Sequence, residues 1–235
     1  MKAAIIAAGH GERLADAGIA GPKPLVRVAG RALVDHVLTA VVAAGIDTVA
    51  CIVNDESAGV EEHCVQRWPE VSFAFVRKTT TSSMESLFTL APLLGEEPFL
   101  LLTVDAVFAP STLADFVAAS APHATADVVL GITTFVDDEK PLWVRIGDDA
   151  TVTALGVDAQ PTPWITAGFY ILSPRVFTEV EHARRSGFTA LRLFLGHLVE
   201  RGFGVVAVPV GKCIDVDRPE DMAAAEAFVA GGYRE

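Results

Sequence analysis

Apolar residues along the chain fall into short continuous runs separated by stretches of helical spacing. Residues 2–9 (KAAIIAAG) form the first run, residues 31–45 carry apolar positions at helical spacing and stop on Gly45, and residues 47–54 (DTVACIVN) form a second, β-branched run. The same alternation continues with a predicted helix near Glu56–Trp68, a strand at 71–76, a helix over Ser82–Leu94 and the apolar segment PFLLLTVDAVF at 98–108, whose first run ends at Thr103, Val104 and Asp105. Strands apolar on both sides and separated by helices predict a largely parallel sheet covered on both faces. From about 126 to 172 the rhythm changes to consecutive strand-like segments with short joins, Gly147–Asp149 being the clearest turn. These predict hairpins and at least one antiparallel strand. Helices resume at roughly Pro174–Arg185, Thr189–Gly202 and Pro219–Ala230, around a strand at 204–210. The expected architecture is a single α/β domain over residues 1–235, three layers deep (α/β/α), with a mixed, mostly parallel central sheet and a β-rich portion near 126–172.

Composition narrows the function classes. The net charge of -12 disfavours nucleic acid and anionic membranes as partners, because phosphate backbones are gripped by clustered Lys and Arg. A small phosphorylated ligand remains compatible, since a few local cations or a divalent metal suffice. Cys51, Cys64 and Cys213 lie far apart without CxxC spacing, so they read as core residues and not as a disulfide or zinc framework. No apolar stretch approaches the ~20 residues of a membrane span, and the first run is too short for a signal-peptide core, so a cytoplasmic protein is expected.

Ligands of parallel α/β sheets bind at the carboxyl ends of strands, which directs attention to the loop after the first run. Gly9 and Gly11 in AAGHGERL allow a tight turn whose amides face an anion, and Arg13 adds a fork of donors suited to phosphate. A dinucleotide fingerprint fails, because position 14 is Leu and the next acid, Asp35, lies inside a helical pattern; no Walker A motif occurs. Instead Pro22 and Pro24 stiffen the backbone around Lys23.

The pattern AAGHGERL, about ten residues, PKPL and a helix resembles the N-terminal signature of the nucleotidyltransferases that activate sugar phosphates and related alcohols: nucleoside-diphosphate-sugar pyrophosphorylases and the phosphocholine cytidylyltransferase and molybdopterin guanylyltransferase types. The resemblance implies that the loop of Ala8, Gly9, Gly11 and Glu12 wraps a triphosphate, that Arg13 contacts its phosphates, and that Lys23 stabilises charge at the reacting phosphorus. It implies transfer of a nucleoside monophosphate from a nucleoside triphosphate to a phosphorylated acceptor, with release of pyrophosphate.

Carboxylates complete the expected site. Asp105 ends an apolar strand on the rim that holds the glycine loop and is a candidate magnesium ligand, Mg2+ usually taking one or two carboxylates with phosphate oxygens and water. In CIDVDRPEDM, Asp215 and Asp217 stand at strand spacing, which places them on one face. The segment resembles the family's closing element; Asp217 is the first choice for the second metal ligand and Asp215 the second, with an ordinary helix N-cap as the competing role of Asp217. Glu220 and Asp221 suit a helix first turn. Ser82, three residues before Glu85, fits a capping box; family members recognise the nucleobase from a comparable place, so Ser82, Ser83 and their threonine neighbours from Thr79 are nucleotide candidates. Gly168 in ITAGFYILSP resembles the strand beside the acceptor, with a β-bulge as its other reading. Glu139, Lys140 and Pro141 superficially resemble an acceptor-binding EKP element but sit between an acidic turn and a strand, and are set aside. Trp143 and Trp164 are candidate walls for a choline-like cation, and His10 a candidate phosphate contact. Two other classes fit the pattern: a nucleotide-sugar-dependent glycosyltransferase using Asp215 and Asp217 as its DxD acids, and a non-catalytic nucleotide-binding module.

Overall fold

The computed structural model describes residues 1–57, 59–135 and 141–234. A seven-stranded sheet forms its middle layer, built from β1 (Ala3–Ala7), β4 (Thr48–Val53), β5 (Ser72–Arg77), β6 (Phe99–Thr103), β8 (Val128–Thr133), β11 (Ile165–Leu172) and β12 (Val205–Pro209). Their spatial order is β12, β8, β11, β6, β1, β4, β5. Every pairing is parallel except those of β11, which runs antiparallel to both β6 and β8. This is the mixed, mostly parallel sheet that the sequence predicts.

Alternate residues of the buried strands serve opposite faces, as the two-residue strand period requires. On one side Ala3, Ile5 and Ala7 of β1 join a core with Val37, Leu38 and Val41 of α2 (Leu33–Ala43), Val60 and Cys64 of α3 (Val60–Arg67), and Leu113 and Phe116 of α5 (Thr112–Ser120). On the other side Ala4, Ile6 and Ala8 meet Leu87 and Leu90 of α4 (Ser83–Leu94), Ala183 of α6 (Val180–Arg185), and Phe194, Leu195 and Leu198 of α7 (Leu191–Glu200). The three layers follow directly.

A third apolar cluster lies off the sheet. It joins Leu14 of α1 (Glu12–Asp16), Val28 of β2 (Arg27–Val28), Val107 of β7 (Ala106–Phe108), Ile214 of β13 (Cys213–Asp215), and Ala225 and Phe228 of α8 (Pro219–Ala230). The same cluster takes in Val26 and Leu33, which flank the β2–β3 hairpin whose second strand is β3 (Arg31–Ala32). β13 pairs antiparallel with β7, bringing Asp215 opposite Ala106.

Several expectations are refined. The segment at 98–108 divides at Val104 and Asp105 into β6 and β7, and the predicted helix from Pro174 begins as 3-10 turns over Pro174–Glu179 before α6. The expected hairpin at Gly147–Asp149 joins β9 (Val144–Ile146) to β10 (Val152–Leu155). Helix α5 and the β2–β3 hairpin have no counterpart in the sequence reading. Glu139 and Lys140, with the rest of 136–140, lie outside the described residues. Among the described residues no helix is long and apolar enough to cross a membrane.

Candidate active site

The end of β1 opens into the glycine loop. Gly11 adopts a left-handed conformation (φ +65°), and a Cβ built on it would stand 2.9 Å from Lys23 Cβ, so this position must be bare for the backbone to pack against the Lys23 stem. Gly9 carries no such constraint, as nothing lies within 4 Å of its would-be Cβ. The loop is tied from the side by Asn54, a residue the sequence reading missed. This buried amide follows β4; its Nδ2 donates to the carbonyls of Ala8 and Gly9, each at 3.4 Å, while its Oδ1 accepts from Glu56 N and Ser57 Oγ.

Lys23 begins a single 3-10 turn over Lys23–Leu25, and its side chain is only 5 % exposed. Its Nζ donates to Asp105 Oδ2 at 2.7 Å and to Asp217 Oδ1 at 2.5 Å. Arg13 donates to the other Asp217 oxygen at 3.2 Å. Two cations and two carboxylates, from residues up to 204 positions apart, therefore form one neutral cluster. Burial by itself would release the Lys23 proton, but the two carboxylates outweigh it and hold the ammonium above the ordinary lysine range. Burial likewise opposes the Asp105 charge, yet Lys23, together with a hydrogen bond from Thr103, holds its carboxyl below the usual carboxylate range.

Asp217 owes its position to α8. Asp221 Oδ2 accepts from the backbone N–H of Arg218 (2.8 Å) and of Asp217 (3.0 Å), while Val216 N donates to Asp105 O at 3.0 Å. The N-cap position of α8 is held by Arg218, so Asp217 does not cap this helix. Strand β13 ends at Asp215, and the strand-period expectation that the two acids share a face does not extend past it. Asp217 engages Lys23 and Arg13, whereas Asp215 lines the cavity described next.

Two cavities meet at Asp105. One, of about 280 Å³, is lined by Ala8, Gly9, His10, Lys23, Thr80, Thr81, Ser82, Ser83 and Asp105 among others; the second, of about 310 Å³, takes in Gly168, Thr133, Thr166, Tyr170, Arg192 and Asp215. Ser83, Thr103 and Asp105 belong to both. Ser82 caps α4 by accepting from Glu85 N, and Ser83 Oγ accepts from Leu191 N. Gly168 sits in an irregular stretch of β11 at φ +83°, where a Cβ would lie 3.4 Å from Thr103 Oγ1; the bulge and the cavity wall are thus one feature. Burial raises the Tyr170 pKa and keeps its hydroxyl neutral.

Some candidates lie elsewhere. Glu12 is exposed on the first turn of α1 and lines neither cavity, and Thr79 is bound to Asp55. Trp143 and Trp164 do not line the second cavity: Trp143 bridges to Ile165, Trp164 packs on the α4/α7 side of the core, and their neighbours Leu142 and Ile165 form the wall instead. An aromatic cage for a choline-like cation is therefore not built from them. Arg192, Thr133, Thr166 and Tyr170 were missed because no local pattern marks them; only the sheet order brings β8, β11 and the start of α7 to one rim.

Known proteins resemble the chain in sequence and in fold. Residues 3–191 match the model of the MobA-like NTP transferase domain. N-acetylmuramate alpha-1-phosphate uridylyltransferase of Caulobacter vibrioides is 28 % identical over 97 % of the chain and 96 % of its own length. CMP-5'-(3-aminopropyl)phosphonate synthase of Streptomyces rubellomurinus is 31 % identical over 60 % of the chain, a match spanning 25 % of that protein. Mannose-1-phosphate guanylyltransferase 1 of Arabidopsis thaliana is 25 % identical over 94 % of the chain and 62 % of its own length. Among solved structures, the inositol-1-phosphate CTP transferase from T. maritima superposes with a TM-score of 0.84 at 20 % identity, covering 100 % of this chain and 98 % of that one, a likeness of fold. With a matched domain model spanning most of its length, the chain belongs to the MobA-like NTP transferase family.

Proposed function

We propose that the protein transfers a nucleoside monophosphate from a nucleoside triphosphate to a sugar 1-phosphate or a related phosphorylated alcohol, releasing pyrophosphate. The observation that carries this reading is the convergence of Arg13, Lys23, Asp105 and Asp217 in one cluster, of which Lys23 lines the glycine-loop cavity and Asp105 lines both cavities. The first cavity takes the triphosphate against the loop amides, with Ser82 and Ser83 toward the base; the second takes the acceptor, with Gly168 admitting it close to the backbone and Arg192 supplying positive charge for its phosphate.

An acceptor phosphate oxygen forms a bond to the α-phosphorus as the bond from that phosphorus to the β-phosphate bridging oxygen breaks, and pyrophosphate leaves with the electron pair. No covalent enzyme intermediate is required, because positioning and charge stabilisation suffice for such transfers. Lys23 and Arg13 hold the charge that develops on the departing pyrophosphate. Asp105 and Asp217 present hard carboxylate oxygens to one point and fit Mg2+, which commonly takes one or two carboxylates and completes its shell with phosphate and water. Bound there, Mg2+ would neutralise phosphate charge.

The test is a screen of four nucleoside triphosphates, since the relatives' names include a uridylyltransferase, a guanylyltransferase and the synthase of a CMP-bearing phosphonate. Each is paired with sugar 1-phosphates, inositol phosphate, phosphocholine and aminoalkylphosphonates, reading pyrophosphate with Mg2+ and with chelator. Metal-dependent release that falls by about 10²–10³ in Lys23→Ala and is lost in Asp105→Asn is expected. Release of nucleoside diphosphate from a sugar nucleotide would point to a glycosyltransferase, and binding without turnover to a non-catalytic module.

A further inference from the structure

Lys23 stands where two expected metal ligands meet. Its ammonium touches Asp105 Oδ2 and Asp217 Oδ1, and the Arg13 guanidinium takes Asp217 Oδ2. A divalent cation approaching the same oxygens confronts a buried like charge that already satisfies them. We infer that Lys23 and Arg13 hold the carboxylate pair closed to a divalent cation until a polyphosphate draws the two basic groups away, so that metal and nucleotide are taken up together and not metal first. This rests on the reading proposed above.

Three observations support it. Lys23 also lines the nucleotide-side cavity, so its Nζ reaches an incoming phosphate by rotation of its outer bonds while the stem stays packed against Gly11. Arg13 is about half exposed and free to swing with little loss of packing. Among the described residues no group of three His, Cys, Asp or Glu side chains is arranged to hold a metal, so two carboxylates form a shell that phosphate oxygens complete. Partners then exchange in one step: carboxylate–ammonium contacts become carboxylate–metal and phosphate–ammonium contacts, and each newcomer removes the obstacle to the other. Such coupling is reciprocal.

The experiment titrates Mn2+ into the nucleotide-free protein and follows free Mn2+ by electron paramagnetic resonance, for wild type, Lys23→Met and Arg13→Met. Lys23→Met is expected to tighten Mn2+ binding by about tenfold or more, the ordinary scale of a coupling free energy, and Arg13→Met to tighten it by a smaller factor. Equal or weaker binding in both variants overturns the inference. Should Lys23→Met fail to fold, Arg13→Met decides alone, its side chain being surface-accessible. Pyrophosphate release by wild type alongside unchanged Mn2+ binding in the variants removes this inference only; no release from any triphosphate and acceptor pair removes the transferase reading itself.

Discussion

At the scale of single residues, two glycines of one loop separate conformation from chemistry. Gly11→Ala adds a Cβ at φ +65°, 2.9 Å from Lys23 Cβ. The left-handed backbone costs about 1–2 kcal/mol, and the Lys23 stem has to move. Denaturant melts should show that loss, and pyrophosphate release should fall by about 10²-fold, the effect of misplacing a reacting group by an ångström. Gly9→Ala meets nothing within 4 Å and should stay within about 0.5 kcal/mol of wild type. From sequence the two are equivalent members of GHG; the difference between them lies in what Lys23 does twelve positions later. The lysine itself was legible, since its flanking prolines mark a held side chain, and so was Asp105 at the end of an apolar run. Asn54 was not, because a single amide after a strand carries no signature until its carbonyl partners are known.

Element ends set the site's geometry. The start of α8 fixes Asp217 through two backbone N–H groups on the Asp221 carboxylate. Asp221→Ala should lower stability by about 1–2 kcal/mol, the range of a lost helix cap, and should raise the Mg2+ concentration needed for half-maximal pyrophosphate release. Asp221→Asn keeps an accepting oxygen and should recover most of both. Ser82→Ala at α4 should cost about 1 kcal/mol in a thermal melt. Elements with long apolar runs or clear helical spacing could be read along the chain: β1, α2, β4, α4, β6 and α8 all lie close to where the pattern predicts them. Helix α5 escaped because only residues 109–111 part it from β7, with no break in the apolar pattern long enough to mark its start. The β2–β3 hairpin escaped because its strands are two residues each and take their stability from the cluster beneath them.

For the whole molecule, electrostatics couple the site to folding. Asp105 has a folded pKa depressed below its ordinary 3.8, so its charge favours the folded state above that pH and loses this contribution as pH falls through the folded value. Lys23 has a folded pKa raised above 10.5, so its contribution is intact below that pH and is lost only as pH rises through the folded value. Lys23→Met leaves burial of Asp105 unopposed, which pushes its carboxyl up. The difference in melting temperature between wild type and Lys23→Met should therefore be large near about pH 7 and shrink toward about pH 4, as the stranded carboxyl takes up a proton. A constant difference over that interval would show that Asp105 does not depend on Lys23 for its charge. The parallel sheet and its layers were legible because buried strands are apolar throughout. The first loop and Asp105 were legible as neighbours because both follow carboxyl ends of parallel strands, whereas the arrival of the last helix was legible only through resemblance, since pairing of β13 with β7 is a long-range contact without a local pattern.

That late pairing has a consequence for biosynthesis. All seven strands of the main sheet are complete by Pro209, whereas Asp217 and the helix that seats it come afterwards. During synthesis the whole sheet can therefore pair before the last carboxylate of the cluster is in place. Asp217 can join Lys23 and Arg13 only after the helix that seats it has emerged and docked on the third apolar cluster.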